Sequence, residues 1–101
     1  MYTAIRRLKV QPGAFDEVVA LDERGLVPLL RSAPGFVELA LVQIGEDMGV
    51  SIMLFETQEQ ADEANRRAAD WVRQHIAPLV AGPAEIVAVG ELRLRQRKDP
   101  E

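Results

Sequence analysis

The stretch FVELALVQIGEDMGVSIMLF, Phe36 to Phe55, decides the fold. In an extended chain Val37, Leu39 and Leu41 fall on one face, and Phe36, Ala40, Val42 and Ile44 on the other. Only Glu38 and Gln43 interrupt that first run. After Gly45-Glu46-Asp47, Met48, Val50, Ile52 and Leu54 alternate with Met53 and Phe55. Two strand-length runs joined by a Gly-containing turn predict a β-hairpin. Both strands are apolar on both faces, so the sheet they form needs cover on both sides.

Working outward, residues 2–10 alternate as a strand. Tyr2, Ala4, Arg6, Leu8 and Val10 share one face, which is apolar except for Arg6. Pro12-Gly13 ends it. Ala14 to Leu30 is predicted helical, with Phe15, Val18, Val19 and Asp22 on one side and Leu26, Leu29 and Leu30 continuing near it. Gly25 and Pro28 predict a bend or break in that helix. Ser32-Ala33-Pro34-Gly35 turns the chain into the hairpin. Beyond it, Thr57 and Gln60 have capping-box spacing and start a helix that runs to about Ile76. Ala61, Ala64, Ala68, Val72 and Ile76 form its stripe, and Pro78 ends it. A last strand is expected over Glu85 to Leu94, followed by a charged tail, 96–101, so that residues 1–95 make one domain.

The order is β-α-β-β-α-β, the ferredoxin-like α+β pattern. Right-handed crossovers put both helices on one face of a four-stranded antiparallel sheet. Two helices cannot cover the other face, so the expected partner is a second copy of the chain, sheet against sheet.

Bulk properties narrow the function. With 101 residues, 48% hydrophobic and 28% charged, the chain suits a single globular domain. A net charge of −4 disfavours nucleic acid and acidic membrane surfaces. Having no cysteine excludes disulfides, thiolate nucleophiles and zinc–thiolate sites, and fits a reducing cytoplasm. The first residues do not read as a signal peptide, and no apolar run reaches the ~18 residues of a membrane span. One histidine and no clustered carboxylates make a poor metal-ligand set.

The Ala33-Pro34-Gly35-Phe36 turn, the apolar hairpin, Phe55-Glu56 leading into a capped helix and the final strand resemble the dimeric α+β barrel superfamily. Within it, nearly the whole chain is similar to antibiotic biosynthesis monooxygenase-like domains. Ala68 to His75 resembles a subset of small bacterial members. The resemblance implies a homodimer. The superfamily it points to includes cofactor-independent monooxygenases acting on polycyclic aromatic quinols, haem-degrading enzymes and isomerases, so fold alone assigns no reaction. Of the haem-degrading pattern, an Asn on the first strand, a Trp on the third and a His on the second helix, only His75 is present, late in its helix. Arg6 and Arg7 stand on the first strand, and the third ends Leu54-Phe55-Glu56. No cofactor is therefore expected.

Each candidate site residue has a functional and a packing reading. Arg6, on an apolar strand face, would hold a ligand oxyanion in fork geometry, or else pair internally with Glu38 or Asp22. His75, the only histidine, would act as a general base, or simply favour a helix C-terminus. Trp71, four residues earlier, would stack on a flat ligand in the room left by Ala68, or fill the core edge. Tyr2 and Phe36 complete the candidate substrate contacts. Tyr2 would hydrogen-bond a ligand oxygen, or pack at the strand end. Two functions remain open: a cofactor-independent monooxygenase on a flat aromatic molecule, with Arg6 and His75 catalytic, or a non-catalytic homodimeric binding or structural module.

Overall fold

The computed structural model describes residues 1–99. Strand β1 spans Tyr2–Lys9 and helix α1 Phe15–Leu21. A π-helical segment, Asp22–Leu26, joins α1 to α2, Val27–Arg31. The hairpin is β2, Phe36–Ile44, and β3, Met48–Phe55. Helix α3, Gln58–His75, leads through a 3-10 turn at Ala77–Leu79 to β4, Glu85–Glu91. All strand pairs are antiparallel, in the order β2-β3-β1-β4. This is the ferredoxin-like α+β fold expected from the sequence.

Register sorts the side chains into faces. Ala4 lies across from Met53, and Met53 across from Leu39; Arg6 lies across from Ser51, and Ser51 across from Leu41. These residues face the helices. The alanine stripe of α3 explains how close the helix comes: Ala61 and Ala68 are fully buried, and Ala64 nearly so. A larger side chain in that stripe would hold the helix off the sheet. Leu30, Met53, Phe55, Ala61 and Ala64 form one buried cluster, and Val10, Phe15, Val18 and Ile76 another.

The turn before β2 is locked to the start of α3. Thr57 Oγ1 accepts from the Gln60 amide at 3.2 Å, and Gln60 Oε1 accepts from the Thr57 amide at 3.2 Å. Gly35, at φ +78°, backs onto this box, where a Cβ would lie 1.8 Å from Gln60 Oε1. Position 35 therefore requires glycine both for its backbone conformation and for space.

The irregularity expected at Gly25 and Pro28 takes the form of the π segment, which contains Gly25 and divides α1 from α2, and Pro28 is accommodated in the first turn of α2, where its missing N–H costs little. Two boundaries differ from the expectation. β1 ends one residue early, at Lys9, with Val10 keeping a single bridge to Val80. β4 stops at Glu91 rather than Leu94. The Leu92 amide still reaches the Met1 carbonyl at 2.8 Å. The following chain departs, and Arg97 meets Glu38 on β2 at 3.0 Å. Of the expected tail, Pro100 and Glu101 lie outside the described residues.

The face opposite the helices is partly bare. Val42 and Ile44 are 47% and 54% exposed there. Leu54, on the same face, is buried, at the end where the departing chain crosses to Glu38.

Candidate functional site

Between the helices and the sheet lies a cavity of about 510 Å³, in the usual size range of small-molecule sites. Arg6, Leu39, Leu41, Ser51 and Met53 form its sheet side, Phe15, Val19, Leu26 and Val27 its helical wall, and Ala68 its α3 side. The side chains are mostly apolar, with Arg6 and Asp22 as the charged groups set deepest and Asp16 and Glu23 exposed at the margin.

The π segment shapes this wall. The Val27 amide donates to the Asp22 carbonyl, the i to i+5 bond that defines the widened turn. One inserted residue rotates the chain beyond it by about 100° relative to an uninterrupted helix. The widened turn is seated against Trp71. A Cβ on Gly25 would lie 2.4 Å from Trp71 Cζ2, so glycine is what admits the indole. Asp22 opens the segment and lines the cavity.

Arg6 is 9% exposed. Among the described residues its guanidinium has no hydrogen-bond or ion-pair partner, and burial lowers its pKa. Asp22 Oδ1 is buried without a donor, and burial pushes the carboxyl up from 3.8 to about 6. The two groups share the cavity without forming an ion pair. Glu38, the other internal partner expected for Arg6, is engaged by Arg95 and Arg97 beyond the sheet. An unpaired buried guanidinium is costly unless an anion or acceptor joins it. Ser51, directly across from Arg6 in the β1–β3 register, adds a hydroxyl to the same floor. Arg6 also borders a hollow of about 370 Å³ toward β4, beside Asn65, whose Oδ1 is likewise buried without a donor.

Of the candidate residues named from the sequence, Arg6 and Ala68 meet in the cavity. Trp71 and His75 stack on each other at 4.9 Å and 21°, with His75 Nδ1 donating to the Trp71 carbonyl at 2.9 Å. Trp71 packs against the Val10–Phe15 cluster and His75 is exposed. Phe36 meets Phe55 edge to face at 5.7 Å, and Tyr2 packs against the cluster of Leu30 and Phe55. Tyr2, Phe36, Trp71 and His75 do not line the cavity. Asp22 and Ser51 do line it, although sequence reasoning does not name them as ligand contacts. For Asp22 a signal is visible, a carboxylate within the apolar stripe Phe15, Val18, Val19.

The cavity lining contains no histidine, cysteine or tyrosine, and Met53 is its one side chain of a type that ligates haem iron. Among the described residues no group of three or more His, Asp or Glu side chains could hold a metal ion. No described helix is long and apolar enough to cross a membrane.

The family model for antibiotic biosynthesis monooxygenases matches residues 1–73. Among solved structures, the chain is similar to a monooxygenase from ActVA-Orf6 of Streptomyces coelicolor in complex with nanaomycin D. That match has a TM-score of 0.72 at 18% identity and covers 97% of this chain and 92% of that one. It is also similar to a mutant of MhuD with two manganese protoporphyrin IX molecules per active site. There the TM-score is 0.73 at 21% identity, over 96% of this chain and 99% of that one. NE2512 of Nitrosomonas europaea, a protein of unknown function, matches with a TM-score of 0.70 at 18% identity, over 99% and 94% of the two chains. At these identities the likeness speaks to the fold. Among curated proteins, none matches the chain in sequence.

Proposed function

The chain belongs to the antibiotic biosynthesis monooxygenase family, and from that premise we propose that its cavity binds a flat, oxygen-bearing aromatic molecule and oxidises it with O2, without a cofactor. The observation that carries this reading is Arg6, a buried guanidinium without a partner among the described residues, on the floor of a mostly apolar cavity. Apolar walls suit the rings of a polycyclic hydroxyarene, and a guanidinium suits its ionised oxygen. Such an oxyanion is electron-rich and can reduce O2. In the overall change, a hydroxyarene with a ring C–H and O2 gives a quinone and water. Arg6 stabilises the anion from which electrons leave, and Ala68 leaves room for the rings beside α3. Nanaomycin D in the Streptomyces neighbour supports the substrate class by analogy.

The working unit is a homodimer formed through the bare sheet face. Exposed Val42 and Ile44 support this, because an apolar sheet face of that kind is normally covered. The cysteine-free composition supports a cytoplasmic setting.

Turnover of a panel of tricyclic hydroxyarenes under ¹⁸O₂ tests the reading. One labelled oxygen in the quinone product is expected, with turnover and binding both lost in Arg6→Ala. Failure of every panel member to bind the wild-type protein would overturn it. Saturable binding without oxygen uptake would leave the second reading, a homodimeric binding module. That reading is supported by His75 and Trp71, which engage each other rather than the cavity.

A further inference from the structure

Resting on that reading of the cavity, we infer that Asp22 is the proton-transfer residue of the site: it takes the hydroxyl proton of the bound hydroxyarene and holds it while Arg6 holds the oxyanion. The ligand class is thereby narrowed to molecules with an acidic enol or phenol placed between these two groups.

Charge balance inside the cavity singles out Asp22. The charged groups lining the space are Arg6 from β1, Asp16 from α1, and Asp22 and Glu23 from the π segment. β2, β3, α2 and α3 contribute uncharged residues there, among them Gln43, Ser51 and Val27. α3 meets the π segment through Trp71, on whose ring the exposed His75 stacks. Asp16 and Glu23 are exposed to water. Inside, one cation faces one acid. A ligand oxyanion beside Arg6 and an ionised Asp22 would put two negative charges against one positive charge in a low-dielectric space. One proton must stay, and Asp22 Oδ1, buried and without a donor, is the atom placed to keep it.

The step balances without any co-reactant. The ligand O–H bond breaks, its electron pair stays on the ligand oxygen beside Arg6, and the proton forms a new O–H bond on Asp22. During the oxidation the oxygen atom that leaves as water takes this proton, and the carboxylate returns. Burial, which carries Asp22 to about 6, sets it near the operating range of a general base.

The test uses 2-hydroxy-1,4-naphthoquinone, whose enol is already ionised at neutral pH. Because the probe arrives as an anion, Asp22 must draw its proton from solvent. Titration calorimetry at pH 7.5 in buffers of different ionisation enthalpy counts that proton. The wild type should take up about one proton per probe bound, and its affinity should fall about tenfold per pH unit above about pH 6. Asp22→Asn should bind the probe more tightly at pH 7.5, with no uptake and a flat pH profile. Asp16→Asn and Glu23→Gln should keep the wild-type uptake. Binding with no uptake in the wild type, or with uptake unchanged in Asp22→Asn, would overturn the role of Asp22 and leave the cavity reading standing. No binding to the wild type would overturn the cavity reading and this inference with it.

Discussion

Replacing Asp22 with asparagine should stabilise the ligand-free protein, and only above a defined pH. In the unfolded chain this carboxyl titrates near 3.8, and in the folded chain burial carries it to about 6. Between those values the folded state binds more protons than the unfolded state. Stability contributed by Asp22 therefore falls as pH rises through the window, and the loss is complete above about 6. A shift of that size corresponds to about 3 kcal/mol for a fully shielded group. Asp22 keeps partial contact with water, which reduces the expected cost to about 1–2 kcal/mol. Asparagine has nearly the same shape and cannot ionise. Urea unfolding of both proteins at one fixed concentration, from pH 4 to pH 8, should show curves that nearly coincide at the acid end. They should separate by about 1–2 kcal/mol by pH 7 and run parallel above it. Other titrating groups cancel in the difference. A stability difference independent of pH would refute the reasoning, because it would mean that Asp22 keeps its ordinary pKa on folding.

Other substitutions have separate readouts. Arg6→Met should raise the stability of the ligand-free protein by about 1 kcal/mol in thermal unfolding, because it replaces a buried unpaired charge with an apolar side chain of similar length. The same variant should lose affinity for anionic arenes. Gly25→Ala should cost about 1–3 kcal/mol, since its Cβ would meet Trp71 Cζ2 at 2.4 Å. The single tryptophan's emission should shift as the indole is displaced. Val42→Asp with Ile44→Asp should turn a dimer mass into a monomer mass by light scattering while the circular dichroism spectrum keeps its shape.

The hairpin is legible from residues alone because its apolar runs, turn and length all agree, as do Thr57 and Gln60 at the start of α3. The end of β4 is not. Leu92 and Leu94 continue the alternation, but the strand ends at Glu91 and the chain beyond it crosses to β2, where Arg97 meets Glu38. Periodicity sees one strand at a time and not its tertiary neighbours. At the site, Arg6 stands out as a charge on an apolar strand face. Asp22 stands out less, because a carboxylate on a helix is easily read as a salt-bridge partner. Asp22 opens the π segment, and Trp71, which packs against Gly25 of that segment, is far away in sequence. Trp71 and His75 share a helix face as their spacing requires. Which side of that face meets the cavity is a matter of tertiary packing.

A crystal structure of the protein grown with 2-hydroxy-1,4-naphthoquinone tests the cavity most directly. The rings are expected between Met53 on the sheet and Leu26 on the π segment, with a ligand oxygen within hydrogen-bonding distance of Arg6. A cavity that stays empty at saturating ligand, with Arg6 turned to pair with Asp22, would contradict the assignment of this space as a binding site.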